Sequence, residues 1–164
     1  MCTVESTLSQ MAAVLLDIQH QDEWFYHTKS SVLKEVSPTE LYYYAELSFP
    51  FPLNNRDFIE HIFITQDPTT YVLKMTVENI PDFIPVKKGI VRVENSQCNW
   101  VITPLSGREL ELEFTLFADP AGNIPVWLIN AMSSYGPVET FKKLKVQLLK
   151  PQYLHVSIAS IKNY

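Results

Sequence analysis

Residues that could carry chemistry are few in this chain, and they are scattered. The densest polar cluster is Asn55-Arg56-Asp57, which follows the proline-broken segment Phe49-Pro50-Phe51-Pro52. A guanidinium fork matches a carboxylate in shape and charge. The cluster therefore reads as a structural clasp, with Arg56 paired to a carboxylate and Asn55 holding the turn. The competing reading has Arg56 steering the anionic head group of a ligand. His20, His27, His61 and His155 show no H-x-E or H-x-x-x-H spacing, so no metal site is expected. Cys2 and Cys98 are the only cysteines and make neither a disulfide framework nor a zinc site. Cys98 is expected at a turn or strand start, inert. A Ser-His-Asp set could be assembled from the inventory, but no G-x-S-x-G elbow supports one. No catalytic residue is assigned.

Composition narrows the class further. The chain has 164 residues, 46% apolar and 19% charged, which suits one globular domain with a substantial core. Its 4 glycines form no phosphate-cradling loop, so nucleotide cofactors are not expected. A net charge of -5 with 13 scattered Lys and Arg argues against a nucleic-acid partner. Lys142, Lys143 and Lys145 read as a solvated helix face. Tyr42, Tyr43, Tyr44, Phe49 and Phe51 read as core and cavity wall, not as a base-stacking platform. No basic stretch followed by an apolar run marks a signal peptide, and no run approaches the roughly 18 apolar residues of a spanning helix. Cytoplasmic residence with free thiols is the expectation.

The elements follow from periodicity. Residues 2–5 read as a strand stub. Thr7-Leu8-Ser9-Gln10 fits a capping box opening a helix with Met11, Val14, Leu15 and Ile18 on one face. A short second helix is expected from His20 to Tyr26, anchored by Trp24. From about Ser31 the period becomes two. Strands are expected over 32–36, 41–48, 57–65, 71–78, 90–94 and 99–103, then from Glu109 to Leu116, where the alternation is clearest. Asp119-Pro120-Ala121-Gly122 is turn chemistry. Asn123 is expected to cap a long helix carrying Leu128, Met132, Tyr135, Val138, Phe141, Leu144 and Leu148 on one stripe. Gly136-Pro137 should kink this helix without dividing it, as a static bend or as a hinge. The tail from Gln152 reads as either a further strand or a docked segment. Helices segregated to one face of an antiparallel sheet make an α+β fold, with the natural ligand space between sheet and helix.

Four motifs in order carry a resemblance. Ala13-Val14-Leu15-Leu16-Asp17 with Glu23-Trp24 resembles the "LLD … W" opening of START lipid-transfer domains. Pro50 and Asn55-Arg56-Asp57-Phe58 resemble their proline followed by N-R-D-F. Lys88-Gly89-Ile90-Val91-Arg92, Trp100 and Pro104 are similar to their G-x-V-R … W-x-x-x-P. Asp119-Pro120-Ala121-Gly122-Asn123-Ile124-Pro125 is similar to D-P-G-G-x-I-P. The agreement covers about residues 4–149. It implies a helix-grip fold with a curved antiparallel sheet around the long C-terminal helix. It also implies an internal cavity for one lipid or other apolar small molecule, and no metal or cofactor.

Two departures from the family pattern matter. The family usually has another helix and two strands before the helix pair, whereas only Cys2 to Glu5 precede it here. Either the fold is shortened and open-edged or that part is missing from the sequence. An open edge invites pairing with a second copy as a homodimer. Sterol-carrying members are similar in placing an arginine and a carboxylate in the cavity, and by ungapped count Ile62 and Tyr43 occupy those positions. A neutral or weakly polar buried ligand end is therefore expected.

Strand parity and the lid helix give the expected wall: Tyr43, Ile62, Ile64, Leu73, Met75, Val91, Leu112, Phe114, Met132 and Tyr135. The structural clasp is Asn55, Arg56 and Asp57. The expected function is binding of a hydrophobic ligand for transfer or sequestration, with transient membrane contact as the lid opens. Two alternatives stand beside it. One is a cyclase- or hydratase-like enzyme on the same fold using Tyr43, His61 and Arg56. The other is an interaction module with a collapsed core.

Overall fold

The structure is a computed structural model and describes residues 2–25 and 28–163. Tyr26, the end of the expected second helix, and His27 lie outside the described residues. Strand β1 is Cys2–Glu5 and helix α1 is Leu8–Leu16. A 3-10 turn, Ile18–Glu23, then leads to β2, Thr28–Ser37. The meander continues with β3 Glu40–Leu47, β4 Arg56–Gln66 and β5 Leu73–Asn79. The two-residue β6, Val91–Arg92, precedes β7 Asn95–Pro104 and β8 Glu109–Asp119. Helix α2, Val126–Gln147, closes the fold.

The strands form one sheet in the order β1-β8-β7-β5-β4-β3-β2, antiparallel throughout, with β6 parallel to the start of β4. β5 covers β4 only from Glu60 onward, and β6 pairs Val91 and Arg92 with Arg56 and Asp57. This is why the expected strand over 90–94 shrinks to two residues. β5 starts at Leu73 and not at Tyr71, because Tyr71 adopts φ 61° in the preceding turn.

α1 is buried on nearly every side, from Leu8 through Leu15. Thr7 caps it, accepting a hydrogen bond from the Gln10 amide at 3.1 Å. The reciprocal half of the capping box is not formed. Gln10 instead donates its side-chain amide to the Leu148 carbonyl at 2.6 Å and ties α1 to the end of α2. The tail is a docked segment and not a strand. Tyr153 donates to Asp17 at 2.8 Å, and Gln66 clasps the backbone of Lys162 in both directions.

α2 runs unbroken through Gly136-Pro137, but its inward face differs from the expected stripe. Leu128, Gly136, Thr140, Leu144 and Leu148 are buried, whereas Tyr135 is 69% and Val138 52% exposed. The inward row advances in steps of four, and each such step turns about 40° around a helix of 3.6 residues per turn. The stripe through Tyr135 and Val138 advances in threes and rotates the other way, out to solvent. Nor is Asn123 the cap: Pro125 occupies that position, and no side chain among the described residues caps the helix.

Candidate functional site

Between the concave face of the sheet and α2 lies a cavity of about 700 Å³. β4 lines it with Arg56, Phe58, Glu60 and Ile62, and β3 with Tyr43, Ala45 and Leu47. Both sets follow the strand rule that alternate residues share a face. Met75 and Val77 from β5 and Cys98 and Trp100 from β7 continue the floor. Trp24 and Phe25 close one side. Met132, Ser133, Gly136, Thr140 and Phe141 of α2 form the roof. Trp100, Phe114 and Phe141 meet edge-on or tilted, with centroids 4.5–6.2 Å apart, a geometry aromatic rings favour.

Of the expected wall residues, Tyr43, Ile62, Met75, Phe114 and Met132 line this cavity. Ile64, Leu73 and Leu112 have the inward parity but sit in the solid core with Val4 and Leu110, beyond the end of the cavity. Parity fixes which face a residue takes. It does not fix where along the strand packed core gives way to open space. Val91 lies in β6 beside Arg56, outside the wall, and Tyr135 points to solvent.

The polar cluster divides along its strand. Asp57 faces away from the cavity and is gripped by Arg92, Nε to Oδ1 at 2.7 Å, with both side chains buried. Arg56 has no carboxylate partner among the described residues. Its Nε donates to the Pro120 carbonyl and Nη2 to Ala121, both at 2.9 Å, while Nη1 donates to Asn54. Its guanidinium also lies 4.6 Å from the Phe49 ring centre. The clasp therefore joins β4 to the turn that launches α2, through carbonyls and not through an ion pair. Asn55 does hold its turn, accepting from the Phe49 amide at 3.1 Å and donating to Glu46 at 2.7 Å.

His61 is on the opposite, convex face, stacked on Tyr42 and bonded to Glu40 at 2.9 Å. The trio of Tyr43, His61 and Arg56 thus does not converge. Cys98 is not at a strand start but mid-strand in the floor, and burial pushes its thiol far above the ordinary range. No group of His, Cys, Asp or Glu among the described residues could hold a metal.

Glu60 is the polar wall residue that sequence reading missed. It shares parity with Ile62, which is the signal that could have found it. The Tyr43 hydroxyl donates to its Oε2. Burial raises the Glu60 carboxyl to about 7, opposed by the hydrogen bond from the Tyr43 hydroxyl. The same burial, then the Glu60 charge, lifts the Tyr43 phenol well above its usual value. Asn79 pairs with Glu60 across β4–β5, and its Oδ1 is buried without a partner, as is the Ser96 hydroxyl. The cavity therefore holds one carboxyl where the sequence led us to expect no ionisable group.

Comparison with known proteins identifies the fold. The sequence model of the START domain matches residues 2–152. The chain belongs to the START domain family. The bovine phosphatidylcholine transfer protein is 29% identical over 132 residues, covering 77% of this chain and 60% of its own length. A STAR-related lipid transfer protein from Xanthomonas axonopodis is 29% identical, with a TM-score of 0.78 over 90% of this START chain and 82% of that one. Human STARD10 shares the fold at 20% identity and a TM-score of 0.74, covering 90% of this chain and 60% of that chain. The chain spans 58–64% of the length of the mouse, bovine and rat phosphatidylcholine transfer proteins it matches. The helix-grip architecture expected from the four motifs is thus the observed one.

Proposed function

We propose that this START domain binds one lipid in the cavity beneath α2 and carries it between membranes or sequesters it. The observation that supports this most is the cavity itself. Its wall is mostly aliphatic and aromatic, and each Å² of ligand surface taken from water contributes about 25 cal/mol. The likeness to proteins named for phosphatidylcholine transfer favours a phospholipid-sized cargo. An enzyme of the kind considered from sequence is not favoured, since His61 lies on the convex face.

Membrane contact is proposed at the rim. Val126 and Trp127 open α2 with 70% and 64% exposure, and the half-exposed Leu116 and Phe117 of β8 line the cavity. No helix among the described residues is long and apolar enough to cross a membrane. Contact through these rims would place α2 against the bilayer while cargo enters. A second copy pairing on the free edge of β1, seen as a doubled mass in solution, is the proposed oligomer. Free Cys2 and Cys98 suit the cytoplasm proposed as its location. The test of function is transfer of a fluorescent phospholipid between donor and acceptor vesicles. Transfer should scale with protein, and Trp127→Ala should slow it without lowering affinity for a micellar probe. Absence of any uptake by the folded protein would overturn the reading.

A further inference from the structure

The wall contains an acid that no cation among the described residues neutralises. Glu60 is buried, 8% exposed, and lines the cavity floor. Among the described residues, the Tyr43 hydroxyl donates a hydrogen bond to Oε2 of Glu60. Several elements pack groups toward it. β3 contributes Tyr43, β5 contributes Asn79 and β7 contributes Ser96 and Cys98. Gln21 of the 3-10 turn reaches the Tyr43 hydroxyl, and the cavity-facing residues of α2 carry no charge. Among the described wall residues the one cation is Arg56, four residues along β4 and so about 13 Å away by strand rise. Its guanidinium is already committed to three carbonyls. A carboxylate buried without a counter-ion is costly unless it takes up a proton or meets a cation.

We propose that the missing cation is brought by the ligand, and that the cavity accepts an amphiphile whose amino group lies deep against Glu60. The ammonium donates to the Glu60 carboxylate while Tyr43 continues to donate to Oε2, so charge and hydrogen bonds are satisfied together. The amine's alkyl chain then runs along the aliphatic and aromatic floor toward the rim. This inference rests on the cavity being a lipid site and adds the chemistry of the ligand's buried end. The free acid titrates near neutrality, so the site is charged and ready for an amine above that pH. Below it the site is protonated and better suited to a carbonyl or hydroxyl. The ungapped count that left no ionic group at Ile62 and Tyr43 pointed to a neutral ligand end, and Glu60 reverses that expectation.

The experiment is displacement of a fluorescent-labelled acyl probe by hexadecylamine, hexadecanol and hexadecanoic acid from the intact protein at pH 6 and pH 8. The amine should displace the probe at least tenfold better than the alcohol at pH 8, with the acid weakest. This advantage should shrink severalfold at pH 6. Glu60→Gln should abolish the amine's advantage over the alcohol at pH 8, by weakening the amine and improving the alcohol. It also controls for attraction of amines to the net charge of -5. Should Glu60→Gln fail to fold, carbon NMR of the Glu60 carboxyl in the native protein decides. Its titration should fall on adding amine and not on adding alcohol. An amine no better than the alcohol at pH 8, an advantage that survives Glu60→Gln, or a carboxyl titration that the amine leaves in place overturns the proposal. A probe that does not bind at all overturns the lipid-site reading with it.

Discussion

Arg92 holds Asp57 with two parallel bonds, Nε to Oδ1 at 2.7 Å and Nη2 to Oδ2 at 3.1 Å, across the short parallel pairing of β6 with β4. Its Nη1 donates to the carbonyls of Ile84, at 3.0 Å, and Pro81. The pair therefore pins the long loop after β5 to the start of the strand that carries Arg56 and Glu60. Both side chains are nearly inaccessible, at 4% and 0%. Removing one partner leaves a buried charge unmatched, at a cost of about 3–5 kcal/mol. Asp57→Ala should lower the thermal midpoint by roughly 10 °C, given about 2–4 °C per kcal/mol in a domain of this size. A scan showing a shift under about 2 °C would mean the pair does not pin the loop to β4.

Arg56→Ala should also destabilise, by about 3 kcal/mol, because three carbonyls lose a charged donor and Phe49 loses its stacked cation. Affinity of the still-folded variant for a neutral lipid should stay within about twofold. Unchanged stability with abolished binding would instead assign Arg56 to head-group recognition.

Glu60 makes stability depend on pH with a definite sign. Its carboxyl is raised in the folded state from 4.5 to about 7, so between those values the native protein binds more proton than the unfolded chain. Stability contributed at this site is present below about pH 4.5 and falls as pH rises to 7, by up to roughly 3 kcal/mol. Glu60→Gln removes the titration and keeps an acceptor for the Tyr43 hydroxyl. The variant should be more stable than wild type at pH 8, and the difference should vanish near pH 4. Parallel urea midpoints for the two proteins across that range would show that Glu60 does not titrate as described.

Cavity volume can be probed with two substitutions. Ala45 lies in the wall and Tyr135 outside it. Ala45→Phe should cut lipid uptake at least fivefold, whereas Tyr135→Ala should leave uptake from micelles unchanged. The reverse pattern would place the ligand on the outer side of α2.

Much of this fold was legible in sequence, and the limits are physical. Thr7 as a cap, the alternation through β3, β4 and β8, and the continuity of α2 across Gly136-Pro137 follow from local rules. Parity placed Tyr43, Ile62 and Phe114 on the correct face, yet Ile64 and Leu112 on that same face belong to solid core. Depth along a strand depends on where α1 fills the sheet's concavity, which no periodicity records. On α2 the inward row includes Gly136 and Thr140, small residues that leave room beneath the helix. A search for an apolar stripe passes over them and selects Tyr135. Glu60 escaped because a charged residue in a strand is read as facing water, although its parity with Ile62 pointed inward.

Native mass spectrometry of the purified, unlabelled protein tests the central claim most directly. The spectrum should contain a population carrying one lipid-sized adduct that is released on collisional activation, and Ala45→Phe should deplete it. Protein that is adduct-free as purified, and that remains so after incubation with phospholipid vesicles, would contradict a lipid-binding cavity.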